Sequence, residues 1–410
     1  MAIISKGNSS TNRGDLVCSI TQIRDRNGTM TKNIVICFDG TKNEFGQQNS
    51  NVVKLYKTLV CSESQIAYYH PGVGTMGARN ALSPIGQWWT RTIGLAFGYG
   101  LSDNVADAYQ FLMKTFRPGD HVYVFGFSRG AYTARALCGL LHLVGLLTEG
   151  NEGLIPYAIR MAKRKEIDFK VAADFKKTFS RECKTYFVGV WDTVSSLGWI
   201  YNAVNFPFTR ATKNPDFHIV RHAVSIDERR AFFRENSFGE PHDAQQNILE
   251  VWFAGVHSDV GGSYPDSESQ LSQIALRWML CEAELAGLSV DPHRKADILG
   301  GSPPHVPPDP VTKNQHESLK GFWWIAEVWP KVVHRQSVQG AWHRSIRLNF
   351  GRRRWISPGS LVHRSVEQRL NDTRLGYKPN NLPSQRGVVE DRCANTEAMN
   401  GPLPTKAGLP

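Results

Sequence analysis

The sequence predicts an α/β fold in which a mostly parallel central sheet is flanked by helices. Two observations predict it: short apolar runs alternate with helical patterns, and the connections between them are short and contain glycine. The runs that we interpret as strands are 33–38, 66–70, 121–125, 184–190 and 248–253. Ligands and chemistry lie outside the carboxyl ends of parallel strands, so polar residues directly after these runs are the candidate site residues.

Local signals support each element in turn. The first run ends at Asp39-Gly40, and Pro71-Gly72 closes the second. Residues 102–116 carry apolar side chains at helical spacing before Pro118-Gly119 ends the pattern. Helices are predicted over 129–143 and 271–286, after the third and fifth strands. Helical insertions and a helical C-terminal cover complete the predicted architecture.

Composition and charge narrow the class of protein. The chain has 410 residues, of which 41% are hydrophobic and 21% are charged, which excludes wholesale disorder and collagen-like repeats. Lys and Arg number 48 against 37 Asp and Glu, a net charge of +11. A basic balance of this size suits an anionic partner such as a phospholipid surface, a nucleic acid or an acidic substrate.

The sequence shows neither a membrane helix nor the apolar core of a secretory signal peptide. Its seven cysteines are scattered and form no C-x-x-C pair, so we expect neither disulfide staples nor a cysteine-rich zinc site. These features predict a protein that is cytoplasmic at synthesis. Secretion by a route that needs no cleaved signal stays open.

The motif Gly126–Gly130, Gly-Phe-Ser-Arg-Gly, lies between a predicted strand and a predicted helix. This setting is typical of a nucleophile elbow, in which a strained turn lifts Ser128 above the sheet and small residues must flank it. The helix that follows directs its N-terminus at a developing oxyanion. The alternative is a tight glycine turn with a helix-capping serine.

A nucleophilic serine needs a base and an orienting acid. Two later strand ends supply them in the order that α/β-hydrolases use, Asp192 after 184–190 and then His257 after 248–253. His257 is the histidine that directly follows a strand within a glycine-rich loop. Asp259 is the alternative acid, and its other interpretation is support of that loop through an Asx turn.

Two backbone N–H groups are expected to form the oxyanion hole. One is that of Arg129, after the nucleophile, and the other comes from Gly40 or Thr41, in the loop after the first strand. The Asp39 side chain is expected to brace this loop. The aspartates and His257 also raise a divalent-metal alternative, but their spacing matches no metal motif.

Four segments resemble a known family: 33–43, 126–131, 190–194 and 255–262. They are similar to the uncharacterised α/β-hydrolase-domain family whose best-studied members are type VI secretion phospholipase effectors. The resemblance extends over about residues 33–383. It implies an α/β-hydrolase-like fold and a triad of Ser128, Asp192 and His257, with lipid-ester hydrolysis. A Ser-His-Asp mechanism needs no metal or organic cofactor, so none is expected. A large membrane-docking region, common in the secreted effectors, is not apparent.

The chain is therefore expected to contain an arm at 1–31, one catalytic domain at 32–383 and a flexible tail at 384–410. Within the domain, 200–247 is expected to form a lid or acyl-pocket wall, and 300–383 forms the C-terminal cover. The expected pocket aromatics are Trp199, Tyr201, Phe206, Phe208, Phe232 and Phe233.

Tryptophans and arginines alternate after Gly321. They suit an ordinary cover, peripheral contact with an anionic membrane surface or, less well, nucleic acid, because no nucleic-acid-binding motif accompanies them. The function predicted is a serine esterase or lipase acting on lipid or phospholipid acyl esters. The alternative is a non-catalytic scaffold of the same fold that binds an anionic partner through this region.

Overall fold

The computed structural model describes residues 31–40, 46, 48–72, 99–164, 166–194, 206–321, 323–327, 331–336 and 342–394. The predicted arm, except for Thr31, lies outside the described residues. So do Thr41, Trp199, Tyr201 and residues 395–410 of the predicted tail.

The strands of the described chain are β1 (Asn33–Phe38), β2 (Gln65–His70), β3 (His121–Phe127), β4 (Leu146–Leu147), β5 (Ser180–Arg181), β6 (Thr185–Trp191), β7 (Phe217–Ser225), β8 (Asn247–Phe253), β9 (Lys331–Gln336), β10 (Trp342–Arg347), β11 (Leu361–His363) and β12 (Gly387–Val389). The α-helices are α1 (Asn51–Thr58), α2 (Tyr99–Thr115), α3 (Arg129–Val144), α4 (Ile155–Ala162), α5 (Phe169–Phe179), α6 (His257–Gly261), α7 (Gln270–Leu285), α8 (Pro292–Ala296), α9 (Trp323–Glu327) and α10 (Arg364–Asn371).

Eight strands form the central sheet in the order β12-β11-β8-β7-β6-β3-β1-β2. Every neighbouring pair in it is parallel. The order reverses between β1 and β3, and the carboxyl ends of strands beside such a point form the crevice where α/β sheets bind ligands. The predicted α/β fold with a mostly parallel central sheet is confirmed.

Each face of the sheet is covered by its own group of helices. Alternate residues of β1 divide between the faces, with Ile34 and Ile36 on one side and Val35 and Cys37 on the other. Helices α2 to α5 contribute apolar side chains to the first core, and α1 and α7 contribute to the second. Both faces of the central strands are therefore buried, which fixes the positions of their carboxyl ends.

Two predicted boundaries are wrong. The stretch 200–247 is not one lid, because β7 (217–225) lies inside the sheet between β6 and β8. The predicted tail starts too early, because β12 pairs in parallel with β11. The predicted C-terminal cover, 300–383, contains an antiparallel pair of strands, β9 and β10, as well as helices α9 and α10.

Strand β7 escaped prediction because charged residues interrupt its apolar pattern. Arg221 is buried and pairs with Glu282 of α7 at 2.7 Å. His222 lies 2.7 Å from Glu250 of β8. Glu282 and Glu250 thus give hydrogen-bond partners to polar side chains that burial in a strand would otherwise separate from water. A buried strand can therefore carry charge where its neighbours neutralise it.

The expectation of no disulfide is also wrong. Cys281 of α7 is bonded to Cys393, with a Cα–Cα distance of 5.7 Å, across 112 residues of sequence. No spacing rule links cysteines so far apart, since pairing at that separation depends on the fold. The bond attaches the segment after β12 to the helix that covers the second core.

Candidate active site

The carboxyl ends of four neighbouring strands converge on one place. Ser128 follows β3, Asp192 follows β6, Glu228 lies three residues beyond β7, and His257 begins α6 shortly after β8. The backbone continues the sheet pattern here, since Ser128 N–H donates to the Trp191 carbonyl at 3.0 Å and Asp192 N–H to the Ala223 carbonyl at 2.7 Å. The sheet thus aligns residues that are far apart in sequence.

Ser128 occupies a strained turn between β3 and α3. Its φ is 59° and its ψ is −118°, a conformation that L-residues rarely adopt and that costs on the order of 1–3 kcal/mol. A Cβ on Gly126 would lie 2.6 Å from the Gly130 carbonyl oxygen, and one on Gly130 would lie 2.2 Å from the Phe38 carbonyl oxygen. The turn therefore requires glycine at both flanking positions, as a nucleophile elbow does.

A chain of hydrogen bonds links Ser128, His257 and Asp192. The Ser128 hydroxyl lies 2.8 Å from His257 Nε2, and His257 Nδ1 lies 2.5 Å from Asp192 Oδ2. With the ring proton on Nδ1, which donates to the carboxylate, Nε2 accepts from the serine hydroxyl. This is the geometry in which an imidazole can remove the serine proton.

The environment sets the charge of both groups. Burial lowers the pKa of His257 below its usual value despite the neighbouring carboxylate, so its neutral, basic form is favoured. Burial raises the pKa of Asp192, but the Arg354 guanidinium and the His257 ring more than offset this, and the pKa lies well below the usual range. The pair is therefore a neutral imidazole beside a carboxylate.

The other carboxyl candidate, Asp259, faces away from the imidazole. Its Oδ2 accepts from the Val256 N–H at 3.0 Å, and its Oδ1 lies 2.6 Å from His316 Nδ1. Both ring nitrogens of His257 are engaged by Ser128 and Asp192. Asp259 is itself part of α6, the helix that begins at His257, and its carboxylate joins the start of that helix to His316.

The loop after β1 packs against the elbow. The Asp39 carboxylate accepts from the Gly40 N–H at 2.6 Å and from the Tyr69 hydroxyl at 2.8 Å. The Gly40 N–H is thus engaged by the side chain of the preceding residue, Asp39. The Arg129 N–H lies at the first residue of α3, where helix geometry supplies no intrahelical acceptor.

Sequence reasoning missed a second carboxylate at this site. Glu228 is fully buried and accepts from the backbone N–H of His257 at 3.2 Å. The Arg230 guanidinium donates to both of its oxygens, at 2.9 and 3.0 Å. Burial raises the pKa of Glu228, but the arginine outweighs it and lowers that pKa to about 2. The segment 226–230, Ile-Asp-Glu-Arg-Arg, is also similar to a segment of the family introduced above, but no motif there marks Glu228 as a site residue.

Aromatic rings enclose the imidazole of His257. The ring of Phe127 lies 4.6 Å from it and that of Phe233 lies 4.9 Å from it, centroid to centroid. The Arg230 guanidinium covers the outer face of Phe233 at 3.6 Å. Of the expected pocket aromatics, Phe233 is therefore at the site.

Phe208 is not at the site. It packs on His142 near the far end of α3, 4.6 Å between ring centroids. Phe206 belongs to the first core, and the side chain of Phe232 lies outside the described residues. The pocket prediction holds for one of the three described rings because aromatic content alone does not distinguish core from cavity.

The basic segment of the C-terminal region differs from a solvated charge run. Arg354 is buried and pairs with Asp192, and Arg353 lies 3.4 Å from Asp227. Two of the three consecutive arginines at 352–354 thus pair with carboxylates. The contacts of Arg354 join residues 162 positions apart, which no local pattern reveals.

The described residues contain neither a metal-binding cluster nor a membrane-spanning helix. No group of three or more His, Cys, Asp or Glu side chains there has the arrangement of a metal site. No helix in the described ranges has the length and apolar content needed to cross a bilayer.

Comparison with known proteins yields a family and two relatives. The sequence profile described as "T6SS, Phospholipase effector Tle1-like, catalytic domain" matches residues 32–282. The "Uncharacterized protein YEL023C" of Saccharomyces cerevisiae is 26% identical, over 86% of this chain and 80% of its own length. A solved structure titled an uncharacterized protein from Pseudomonas aeruginosa is 20% identical with a TM-score of 0.40.

That solved structure shares 68% of this chain and 49% of its own, so the chain spans about half the length of this relative. The profile match covers more than half of the 410 residues and contains Ser128, Asp192 and His257. The predicted resemblance is confirmed, and the chain belongs to the Tle1-like phospholipase effector catalytic-domain family of type VI secretion.

Proposed function

We propose that the protein is a serine hydrolase that cleaves acyl esters of phospholipids through an acyl-enzyme intermediate. The family supports phospholipase-type hydrolysis in general. The observation that carries the finer proposal is the continuous hydrogen-bond chain from Ser128 through His257 to Asp192, at 2.8 and 2.5 Å. Ser128, at the end of this hydrogen-bond chain, is held in a strained turn between two glycines. Backbone strain of this kind is typical of functional sites, and a purely structural position could be filled by a less strained residue.

In this mechanism Ser128 Oγ attacks the acyl carbonyl while His257 Nε2 takes its proton. The imidazolium gives that proton to the departing alcohol oxygen, which leaves an ester between Ser128 and the fatty acyl group. Water, deprotonated by His257, then attacks the acyl carbon, and the fatty acid leaves as Ser128 is reprotonated. Asp192 keeps the imidazole in the required tautomer and stabilises its charged form.

The tetrahedral intermediate carries a negative oxygen that needs backbone donors. We assign the Arg129 N–H to it, together with the loop after β1. The sequence offers Gly40 or Thr41 as the donor from that loop; the Gly40 N–H already donates to Asp39, and Thr41 lies outside the described residues. Each such donor typically supplies about 3 kcal/mol of barrier lowering. Phe233 is the proposed aromatic wall beside the acyl chain.

We also propose that exposed aromatic residues at the mouth of this site contact an anionic phospholipid surface. Trp324, Phe350 and Trp355 expose 45%, 54% and 63% of their surface. Trp324 follows Trp323, whose ring packs on Phe233 at 5.5 Å, so Trp324 lies beside the site. Interfacial aromatic rings on a chain of net charge +11 suit such a surface.

The function is tested by comparing the wild type with Ser128→Ala on p-nitrophenyl esters and on phospholipid vesicles. Ser267→Ala is the matched control, since Ser267 is exposed on the short 3-10 helix before α7. We expect hydrolysis by the wild type and by the control, with loss of both activities in Ser128→Ala. Equal rates in all three proteins would reject the enzyme and favour a binding scaffold.

A further inference from the structure

We propose that Arg354 is a positioning residue that holds the Asp192 carboxylate, and through it the His257 ring, in register with Ser128. The inference rests on the proposed function, because such positioning matters only where Asp192 and His257 act on Ser128. It assigns part of the working site to the C-terminal region.

The contact is a two-pronged ion pair. Arg354 Nη1 lies 2.5 Å from Asp192 Oδ1, and Arg354 Nη2 lies 3.0 Å from Oδ2. Two nearly parallel N–H to oxygen bonds fix the plane of a carboxylate as well as its position. Oδ2 is also the oxygen that contacts His257 Nδ1, so the guanidinium and the imidazole share one rigid acceptor.

Arg354 is itself held from several directions. Its Nη1 donates to Ser225 Oγ at 2.8 Å, and its Nε donates to the Phe233 carbonyl at 2.9 Å. The Asn381 side-chain amide donates to the backbone carbonyls of Arg354 and Ile226, at 3.0 and 2.9 Å. With a side chain only 3% exposed, the arginine is preorganised rather than recruited from solvent.

The ion pair between Arg354 and Asp192 joins two parts of the chain that are far apart in sequence. Residue 354 lies beyond the segment 32–282 that matches the family profile, whereas Asp192 lies within it. The two groups belong to different parts of the chain and meet at the end of β7, where Ser225 N–H also donates to Asp192 Oδ1 at 2.9 Å. The C-terminal region therefore completes the environment of the proposed triad as well as covering the sheet.

Charge gives the contact a measurable consequence. Arg354 offsets the negative charge of Asp192, so the His257–Asp192 pair gives up its proton at a lower pH than an uncompensated pair. The other charged groups around it are Glu235, 3.8 Å from Arg354 Nε, and the paired Glu228 and Arg230. Without Arg354, the pair should keep its proton to a higher pH.

The test measures kcat and KM on a soluble p-nitrophenyl ester between about pH 5 and 9. Arg354→Met is expected to lower kcat/KM about 100-fold, mainly through kcat, because the base loses its alignment. It is also expected to move the acid limb of the profile to higher pH. Arg354→Lys keeps the charge without the fork, so we expect an unmoved acid limb and about a 10-fold loss.

Arg374→Met is the matched control, because this arginine is 77% exposed and its ion pair is with Asp372. It should retain the wild-type profile. A wild-type rate and profile for Arg354→Met would overturn the inference, as would a lowered rate with an unmoved acid limb, which indicates a structural role alone. Should Arg354→Met not fold, Arg354→Lys decides, and a full wild-type rate there would overturn the proposal.

Ser128→Ala, measured in parallel, distinguishes a failure of the proposed function from a failure of the role proposed for Arg354. If it keeps the wild-type rate, the proposed function fails. If it is inactive while both Arg354 variants behave as the wild type, only the role of Arg354 fails.

Discussion

The segment 31–282 and the segment 302–394 contribute different parts of the site. The first supplies Ser128, Asp192 and His257, each shortly after a parallel strand. The second supplies side chains that contact carboxylates at those strand ends. Its contacts are Arg354 with Asp192, Ser318 with Glu228, His316 with Asp259 and Tyr377 with Asp227.

This difference teaches how a crowded set of acidic groups is kept in place. Four carboxylates converge where the strands end, and burying carboxylates close together is costly unless donors or positive charges lie beside them. The later segment provides donors and positive charge from outside the sheet. We therefore expect substitutions in the first segment to affect chemistry directly, and those in the second to act through geometry, stability or surface contact.

The largest expected effect concerns the two candidate acids. Asp192→Asn should lower kcat by about 10⁴-fold, because the amide no longer holds the productive imidazole tautomer. Asp259→Asn is the matched variant, two residues from His257 rather than opposite it, and should lose far less activity. Steady-state kinetics of both proteins on one ester make the comparison. A greater loss in Asp259→Asn would reverse the assignment of the acid.

The disulfide tests how firmly the later segment is attached. Cys393→Ser should lower the free energy of unfolding by about 2–5 kcal/mol, because the bond closes a long loop. Cys61→Ser is the control, since Cys61 is a free and exposed thiol. Denaturant unfolding under non-reducing conditions measures both. Equal stability of the two variants and the wild type would show that the Cys281–Cys393 bond does not stabilise the fold.

His316 predicts a pH dependence of stability that arises where the two segments meet. Its ring nitrogens lie 2.6 Å from Asp259 Oδ1 and 3.0 Å from Glu268 Oε2, and Tyr264 stacks on the ring. The hydrogen bond with Asp259 raises the pKa of His316 above its usual value, although burial opposes this. The stabilisation is therefore complete below the unfolded-state pKa of about 6.5 and is lost as the pH rises through the folded-state value.

His316→Gln should thus cost about 1 kcal/mol at low pH, the scale of a partly exposed ion pair, and less at high pH. Urea unfolding of wild type and variant at about pH 5.5 and about pH 9, on either side of the ordinary histidine pKa, measures the difference. A cost that is constant with pH, or larger at high pH, would contradict the sign.

The smallest expected effect concerns the membrane surface. Trp355→Ser, made in the inactive Ser128→Ala background, should weaken binding to vesicles rich in phosphatidylglycerol by several-fold. Phe169→Ser is the control, because this exposed aromatic lies on α5, away from the C-terminal region. Vesicle co-sedimentation gives both affinities. Equal weakening by the two substitutions would remove the special role of the patch.

The sequence predicted the parts of this molecule that depend on local pattern. Strands β1, β3, β6 and β8 are apolar runs, and the residues that follow them are the ones that the parallel sheet brings together. The elbow was predictable because its glycines and its strand–turn–helix setting are local. For the same reason the sequence predicts Ser128, Asp192 and His257 as one set, and their side chains lie within hydrogen-bond distance of one another along the chain.

What the sequence did not predict depends on contacts between distant residues. The three consecutive arginines ending at Arg354 have the appearance of a solvated run, and only the fold turns the last one onto Asp192. Strand β7 was hidden because Arg221 and His222 interrupt its apolar pattern, and their partners, Glu282 and Glu250, lie on other elements. The Cys281–Cys393 bond spans 112 residues, and its two ends share no local motif.

The most direct test of the account is active-site labelling with a fluorophosphonate, followed by mass spectrometry of the intact protein and of its peptides. A serine activated by His257 should form one covalent adduct, located on Ser128, with loss of esterase activity in proportion to labelling. Labelling should disappear in Ser128→Ala and slow markedly in Asp192→Asn. An adduct on another residue, or hydrolysis of phospholipid that continues in protein labelled fully at Ser128, would contradict the central claim.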